Sequence, residues 1–249
     1  MSITSEKWLL IDNSNTRTKL VFADASGLLS EVSYIPTAEL SVGRIAEVVA
    51  DSCLTKVVIC SVVPRCREIF LSAFSVSPHF LSVDSPMKME FDYEGTATLG
   101  ADRIANALAV ADLFAVTSIV VDAGTATTFD VVENKGDRIV YKGGVIAPGI
   151  DCFASYLHQC TAVLPRVQVI ADCPPIGANT TQAMQAGALY GFCGMVQGIL
   201  SAMAAGFSSP PLSVFTGGDA QLLLSHGVAN ARFEKYLTLY GLLHVARLL

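Results

Sequence analysis

The sequence has few charged residues, and fewer basic than acidic ones. Only 15% of its 249 residues are charged, and 16 Lys and Arg against 22 Asp and Glu leave a net charge of −6. Proteins that bind nucleic acid usually concentrate basic side chains on one face to neutralise phosphates. We therefore expect no nucleic-acid partner, although a small anion can still be bound by a local group of donors.

Several common motifs are also missing. The sequence has no G-x-x-x-x-G-K-[ST] loop and no G-x-G-x-x-G turn after a strand, so any phosphate site must be built in another way. It has no C-x-x-C pair, and its seven cysteines are an odd number. This pattern favours reduced thiols in a cytoplasmic protein over a disulfide framework or a zinc site.

One long stretch, residues 173–218, contains no charged residue at all. Its centre, GALYGFCGMVQGILSAMAAGF, is long enough to cross a membrane. Gln182, Gln185 and Gln197, together with the lack of a flanking Lys/Arg cluster, argue against insertion. We therefore expect no membrane span, and interpret the stretch as a helix buried in a core or at the interface of a homodimer.

Predicted strands and helices alternate along the chain. Residues 8–12, 19–23 and 57–63 have the apolar, β-branched character of strands, whereas residues 99–115 have the spacing of an amphipathic helix. This alternation predicts an α/β fold.

The chain also resembles itself when it is shifted by 110 residues. LIDNSNTRTKLVF (10–22) then aligns with VVDAGTATTFDVV (120–132), with Asp12 on Asp122, Ser14 on Gly124 and Thr18 on Thr128. The match is short enough to arise by chance. If it is real, it predicts a duplicated domain, with one copy in residues 1–115 and the other in residues 116–249.

Both copies place an aspartate before a turn of small polar residues. Backbone N–H groups and hydroxyls of such turns can bind phosphate oxygens, and Lys19 adds a positive charge. Asp12 and Asp122 have the oxygen ligands that hard cations prefer. The alternative, that each aspartate merely caps its turn, stays open.

Five motifs in a fixed order resemble those of a known family: D-x-x-N-T-x-x-K (12–19), G-A-D-R (100–103), D-A-G-T-A-T-T (122–128), G-G-x-I-x-P-G (143–149) and T-G-G-D (216–219). Together they resemble the type III pantothenate kinases, a family in the superfamily of acetate kinase, sugar kinases, heat-shock chaperones and actin. The resemblance implies two ribonuclease-H-like (actin-like ATPase) domains with a cleft between them. It also implies ATP-dependent phosphorylation of pantothenate, the first step towards coenzyme A, by a cytoplasmic homodimer.

The resemblance also implies roles for individual residues. Asp102 matches the proton acceptor, and Asp122 matches the ligand of a monovalent cation, K⁺ or NH₄⁺, while Mg²⁺ accompanies ATP. The residues that match ATP contacts are Asp12, Asn13, Ser14, Asn15, Thr16, Arg17, Thr18, Lys19 and Thr125. The residues that match pantothenate contacts are Tyr93, Gly100, Ala101, Asp102, Arg103 and Thr180.

The sequence departs from the family pattern at two places. Ser14 stands where the family usually has glycine, which would cost about 1–2 kcal/mol if this position required a positive φ. Gly95-Thr96 replaces the usual Asn-Pro and predicts a looser loop after Tyr93. Two other functions therefore stay open: a kinase of the same superfamily that acts on another small molecule, and a non-catalytic regulatory relative.

Overall fold

The computed structural model describes residues 7–50, 52–227 and 231–249. The strands are β1 (Trp8–Asn13), β2 (Arg17–Asp24), β3 (Gly27–Leu28), β4 (Ser33–Pro36), β5 (Lys56–Ser61), β6 (His79–Phe80), β7 (Glu90–Phe91), β8 (Ser118–Ala123), β9 (Ala126–Asn134), β10 (Ile139–Pro148), β11 (Leu212–Thr216) and β12 (Ala231–Phe233). The helices are α1 (Val42–Val49), α2 (Arg67–Ala73), α3 (Ala101–Phe114), α4 (Ile150–Cys160), α5 (Thr180–Ala204), α6 (Ala220–Ser225) and α7 (Leu237–Leu248).

These elements form two compact units. Unit 1 contains Met1–Ala115, Asn134–Tyr141 and Tyr236–Leu249, and unit 2 contains Val116–Glu133 and Lys142–Lys235. The sheet of unit 1 has the strand order β3-β2-β1-β5-β6, with β4 beside β2. Its core contains Leu9, Ile11, Ile45, Ile59 and Phe70, none of them exposed.

The sheet of unit 2 has the order β12-β11-β8-β9-β10. As in unit 1, the first strand pairs antiparallel with the second, here β8 with β9, and parallel with the strand on its other side, here β11. Strand β7 pairs with Val140 and Tyr141 at the start of β10, in the segment that belongs to unit 1. Both units therefore have a ribonuclease-H-like strand arrangement, which confirms the predicted fold class.

The two hairpins are the same structure with turns that differ by one residue. In the first hairpin Asn13 lies opposite Thr18, and in the second Ala123 lies opposite Thr127. The first eight residues of β9 have the same order of buried, half-buried and exposed positions as the eight residues of β2. Lys19 therefore corresponds to Thr128, whereas the ungapped sequence alignment shifts the second strand by one position.

The last helix of the chain packs within unit 1. A Cβ on Gly241 of α7 would lie 1.9 Å from the carbonyl oxygen of Ala105 in α3, so only glycine allows this approach. Thr238 Oγ1 donates a hydrogen bond of 2.9 Å to Asn106 Oδ1, and both residues are buried. Residues 134–141 and 236–249 both lie in unit 1, whereas the sequence boundary at residue 115 assigns them to the second domain. That residues 1–115 and 116–249 are duplicated copies of one domain stays a prediction.

Helix α5 is the helix that the charge-free stretch predicts. Among the described residues it is the one helix long and apolar enough to cross a membrane, and 33% of its most apolar window is buried. Leu189, Phe192 and Val196 on this helix are fully buried in the core of unit 2. Core helices of soluble proteins commonly have the same length and composition.

Candidate active site

The first hairpin holds a buried carboxylate between two donors. Asp12 is 2% exposed, and its Oδ2 lies 2.7 Å from Lys19 Nζ, directly across the strand pair. Ser14 Oγ donates to the other carboxylate oxygen at 3.1 Å. Because Lys19 keeps a quarter of its side chain exposed, its ammonium group can also reach an anion from solvent.

The turn of this hairpin is fixed at its base and exposed at its tip. Ser14 N–H donates to the carbonyl oxygen of Arg17 at 3.1 Å, and Thr37 Oγ1 donates to the carbonyl oxygen of Ser14 at 2.7 Å. Asn13 Nδ2 donates to Thr18 Oγ1 at 2.8 Å in the buried part of the hairpin. The residues left exposed are Asn15, Thr16 and Arg17.

Ser14 fits this turn without strain. Among the described residues other than glycine, only Ala50 and Ala115 have a positive φ. The corresponding Gly124 of the second hairpin does not have a positive φ either, and a Cβ there would meet only the Ala126 carbonyl oxygen, at 3.8 Å. Position 14 does not require a positive φ, so serine carries no conformational cost there, and its hydroxyl gains a contact with Asp12.

Helix α3 begins with a carboxylate folded over a glycine. Gly100 is its N-cap, and the backbone N–H of Arg103 donates to Asp102 Oδ1 at 2.9 Å. Ala101 and Asp102 are partly exposed, whereas Arg103 is 6% exposed. The helix start thus presents a carboxylate to solvent beside a guanidinium that is held in place by burial.

Tyr93 lies in the same unit, in the segment after β7. Its ring meets the ring of Tyr141 edge-on, with the centroids 5.7 Å apart. The loop after it contains a 3₁₀ turn, in which Thr98 Oγ1 donates to the Gly95 carbonyl oxygen at 3.0 Å. A Cβ on Gly95 would lie 3.2 Å from the Tyr93 ring.

In unit 2, two glycines pack against the tip of the second hairpin. A Cβ on Gly217 would lie 2.6 Å from Asp122 Oδ1, and Gly217 has a φ of +92°. A Cβ on Gly149 would lie 2.1 Å from the carbonyl oxygen of Gly124 and 2.6 Å from that of Thr125. The glycine-rich stretches 143–149 and 214–220 therefore both form the surroundings of Asp122 and Thr125.

This donor set suits a hard cation. Asp122 supplies a partly exposed carboxylate beside the Ala123 carbonyl oxygen, and hard cations take oxygen ligands of this kind. The part of the chain that the structure describes has no cluster of three or more His, Cys, Asp or Glu that could hold a metal. Mg²⁺ needs no such cluster, because it is usually held by one or two carboxylates together with substrate phosphates and water.

A cavity of about 1020 Å³ opens beside this hairpin within unit 2. Its lining includes Asp151 from the start of α4, Asp219 before α6, and Arg166. Asp219 N–H donates to the Ala123 carbonyl oxygen at 3.0 Å, which ties the cavity to the tip of the hairpin. Burial, and then repulsion by the Asp151 carboxylate, raise the pKa of Asp219 above its ordinary value.

Thr180 lies elsewhere in unit 2, at the start of α5. It lines an apolar pocket of about 510 Å³ together with Phe153, Tyr156 and Met184. Asn179 caps this helix by accepting a hydrogen bond of 3.0 Å from Gln182 N–H. The side chains around the pocket include the exposed Tyr156 and Leu157.

Each unit contains some of the predicted site residues. Unit 1 contains residues 12–19, Tyr93 and residues 100–103, and unit 2 contains Asp122, Thr125 and Thr180. The sequence analysis gives no role to Tyr141 or Asp151, and it includes Asp219 only as the last residue of the T-G-G-D motif (216–219). Asp219 has a sequence signal, because it directly follows Gly217-Gly218, but Tyr141 has none beyond its place in a strand.

Comparison with known proteins identifies the family. The family model described as type III pantothenate kinase matches residues 8–202. The chain belongs to the type III pantothenate kinase family. A type III pantothenate kinase from Akkermansia muciniphila is 44% identical over 237 residues, which cover 94% of this chain and 96% of that protein. Another, from Methylacidiphilum infernorum, is 33% identical over 97% of this chain and 88% of its own length.

Solved structures support the fold of this pantothenate kinase family member. A Campylobacter jejuni protein described as a Baf family transcriptional activator has a TM-score of 0.63 at 22% identity, covering 96% of this chain and 97% of its own. A glucokinase from an Antarctic psychrotroph has a TM-score of 0.53 at 10% identity, covering 98% of each chain. At these identities the likeness shows the actin-like ATPase fold alone.

Proposed function

We propose that this protein is an ATP-dependent kinase that phosphorylates the primary hydroxyl of pantothenate, giving 4'-phosphopantothenate and ADP in the first step of coenzyme A biosynthesis. The observation that carries the proposal is the membership of the family, at up to 44% identity over nearly the whole chain. The acidic, basic and small polar residues that match the family's motifs are present at 12–19, 100–103 and 122–128.

The first hairpin is suited to phosphate. Its exposed turn offers backbone N–H groups and the hydroxyl of Thr16, and Lys19 supplies a charge that Asp12 holds in place at 2.7 Å. A lysine in such a position screens the negative charge that develops on a transferred phosphoryl group. In this proposal residues 12–19 bind the phosphates of ATP, and Thr125 of unit 2 contributes a further contact.

The nucleoside of ATP is proposed to occupy the cavity of unit 2. Its volume of about 1020 Å³ is at the upper end of the range for small-molecule sites. Asp151 and Asp219 can accept hydrogen bonds from ribose hydroxyls. Gly217 and Gly149 let their segments pack closely against the adjoining hairpin tip, which fixes the backbone beside the cavity.

Asp102 is the proposed base. It orients the hydroxyl of pantothenate and accepts its proton as the oxygen forms a bond to the γ-phosphorus and the bond to the ADP oxygen breaks. Arg103 carries the positive charge that an anionic substrate's carboxylate needs, and Tyr93 lines the same substrate site.

Cations complete the proposed reaction. Mg²⁺ neutralises charge on the ATP phosphates, and K⁺ or NH₄⁺ binds at Asp122. Turnover should therefore be higher in potassium than in sodium buffer, and Asp122→Asn should remove the difference. Equal turnover of the wild-type protein in the two buffers would contradict the role of Asp122.

The apolar helix α5 supports a homodimer. It is apolar nearly all round, yet only 33% of its most apolar window is buried within one chain. Along its outer side, a Cβ on Gly187, Gly194 or Gly198 would meet no atom within 4 Å. We propose that a second copy covers this side in a cytoplasmic homodimer, next to the apolar pocket of Thr180.

An arginine at Gly194 tests this interface. Because the space around Gly194 is open, Gly194→Arg should fold normally but shift the mass in light scattering from about twice 26.3 kDa to 26.3 kDa. Gly43→Arg, at an equally open position in α1, is the matched control and should stay dimeric. A stable Gly194→Arg dimer would exclude this interface.

One assay separates the proposed function from its alternatives. Purified protein is incubated with ATP, Mg²⁺ and K⁺, and ADP release is measured with pantothenate or with a panel of sugars, short carboxylates and other small alcohols. A pantothenate kinase releases ADP only with pantothenate. Release with another compound alone indicates a different kinase of the superfamily, and no release with any compound indicates a non-catalytic relative.

A further inference from the structure

Two of the proposed pantothenate contacts meet on one buried ring. Tyr141 in β10 is fully buried. The Tyr93 ring stands perpendicular to it, at 87° and 5.7 Å between centroids. The guanidinium carbon of Arg103 lies 6.0 Å from the centroid of the same ring. Tyr93 and Arg103 come from different segments, a loop and the first turn of α3, so Tyr141 is the side chain they share.

The backbone around Tyr141 also holds the segment that carries Tyr93. Strand β7 pairs with β10 at only two positions, one of which is Phe91 opposite Tyr141. Asp92 N–H donates to the Tyr141 carbonyl oxygen at 2.9 Å, and the ring of Phe91 lies 5.9 Å from that of Tyr141. Because β7 and β10 pair at only two positions, we infer that the orientation of the Tyr93 side chain depends largely on its contact with the Tyr141 ring.

The contacts depend on an aromatic ring. An edge-on aromatic pair is stabilised by the positive ring edge meeting the negative ring face, and a guanidinium is attracted to the same face. A leucine at position 141 would keep the site apolar and buried but would provide neither interaction. Tyr93 and Arg103 would then keep their backbone positions and lose the surface that orients their side chains.

We propose that Tyr141 is a positioning residue that sets the side chains of Tyr93 and Arg103 for pantothenate, so that its ring controls affinity for this substrate and leaves the phosphoryl donor unaffected. The inference rests on the proposed function, because it takes pantothenate as the ligand of Tyr93 and Arg103. Tyr141 is fully buried, and we expect it to change KM for one of the two substrates through the residues that it orients.

The test compares Tyr141→Leu and Tyr141→Phe with the wild-type protein. For Tyr141→Leu we expect KM for pantothenate to rise roughly 5- to 50-fold, because the variant loses one aromatic pair and one cation–π contact. KM for ATP and kcat should stay within about threefold. Tyr141→Phe keeps the ring and should return KM for pantothenate to near the wild-type value. Tyr141→Met, which fills the space with a flexible chain, replaces Tyr141→Leu if the latter does not fold.

Phe70→Leu is the matched control. Phe70 is also fully buried in unit 1 and also packs edge-on against another ring, that of Phe80 at 6.5 Å. The core cluster to which it belongs, with Leu9 and Ile59, includes none of the proposed pantothenate contacts. This variant should lower Tm and leave KM for pantothenate unchanged.

Three results would overturn the inference: an unchanged KM for pantothenate in a folded ring-free variant, an equal rise in Phe70→Leu, or an equal rise in Tyr141→Phe. Each leaves the proposed function intact. By contrast, wild-type protein that releases no ADP with pantothenate contradicts the proposed function itself.

Discussion

Asp102 Oδ1 lies only 2.5 Å from the point that a Cβ on residue 100 would occupy, so this carboxylate rests over the bare backbone of Gly100. Gly100 has a negative φ of −60°, which any residue can adopt. The glycine is therefore required here for space and not for backbone conformation.

Gly100→Ala should change the position of the Asp102 carboxylate with little effect on the fold. The added methyl group forces the carboxylate to rotate away, and a displaced catalytic group can cost roughly 10²-fold in turnover. We expect a lower kcat with an unchanged Tm. Gly43→Ala, in open space on α1, is the control and should retain full activity.

Asp102→Asn distinguishes a catalytic base from a helix-stabilising acid. Loss of a base should reduce kcat by roughly 10²–10⁴ while ATP binding persists. A carboxylate that only interacts with the helix dipole contributes about 0.3–1 kcal/mol, so its loss would lower Tm slightly and leave kcat within a few-fold. Near-normal turnover in this variant would remove Asp102 from the mechanism.

Gly217→Ala should disrupt the second hairpin. Gly217 has a positive φ, which costs about 1–2 kcal/mol for an L-residue, and its added Cβ would lie 2.3 Å from the Ala123 carbonyl oxygen. We expect a clearly lower Tm and a weaker response of turnover to potassium. The neighbouring Gly218 has open space around it, so Gly218→Ala should behave as wild type. Equal Tm values for the two variants would contradict the packing described here.

These contacts also show what the sequence could predict. The three strands predicted at residues 8–12, 19–23 and 57–63, and helix α3, agree with the structure within two residues at their ends, because alternation and helical spacing are local signals. The duplicated hairpins were found from their residues, but the shorter second turn displaced the alignment by one position. The packing of α7 on α3, and the approach of Gly149 and Gly217 to the second hairpin, depend on residues far apart in the chain, and no local pattern reports them.

Asp219 should make stability depend on pH. Burial and the Asp151 carboxylate raise its pKa, so the folded chain holds this proton more tightly than the unfolded chain. Below the ordinary pKa of 3.8 both states are protonated, and as pH rises through the raised pKa the folded state loses stability. Asp219→Asn should therefore have a higher Tm than wild type near neutral pH, and this gain should vanish in acid.

Melting curves of the ligand-free protein across this pH range check the prediction. Asp137→Asn, which changes an exposed aspartate, is the control and should show no pH-dependent gain. A gain for Asp219→Asn that is equal at all pH values would show that the burial of its charge is not the cause.

The product of the reaction tests the central claim most directly. Wild-type protein, ATP, Mg²⁺, K⁺ and pantothenate are incubated together, and the mixture is followed by phosphorus NMR and mass spectrometry. We predict a phosphomonoester on the primary hydroxyl of pantothenate, formed in a one-to-one ratio with ADP and nearly absent with Asp102→Asn. ADP formation without phosphorylated pantothenate, or no reaction by folded wild-type protein, would contradict the account.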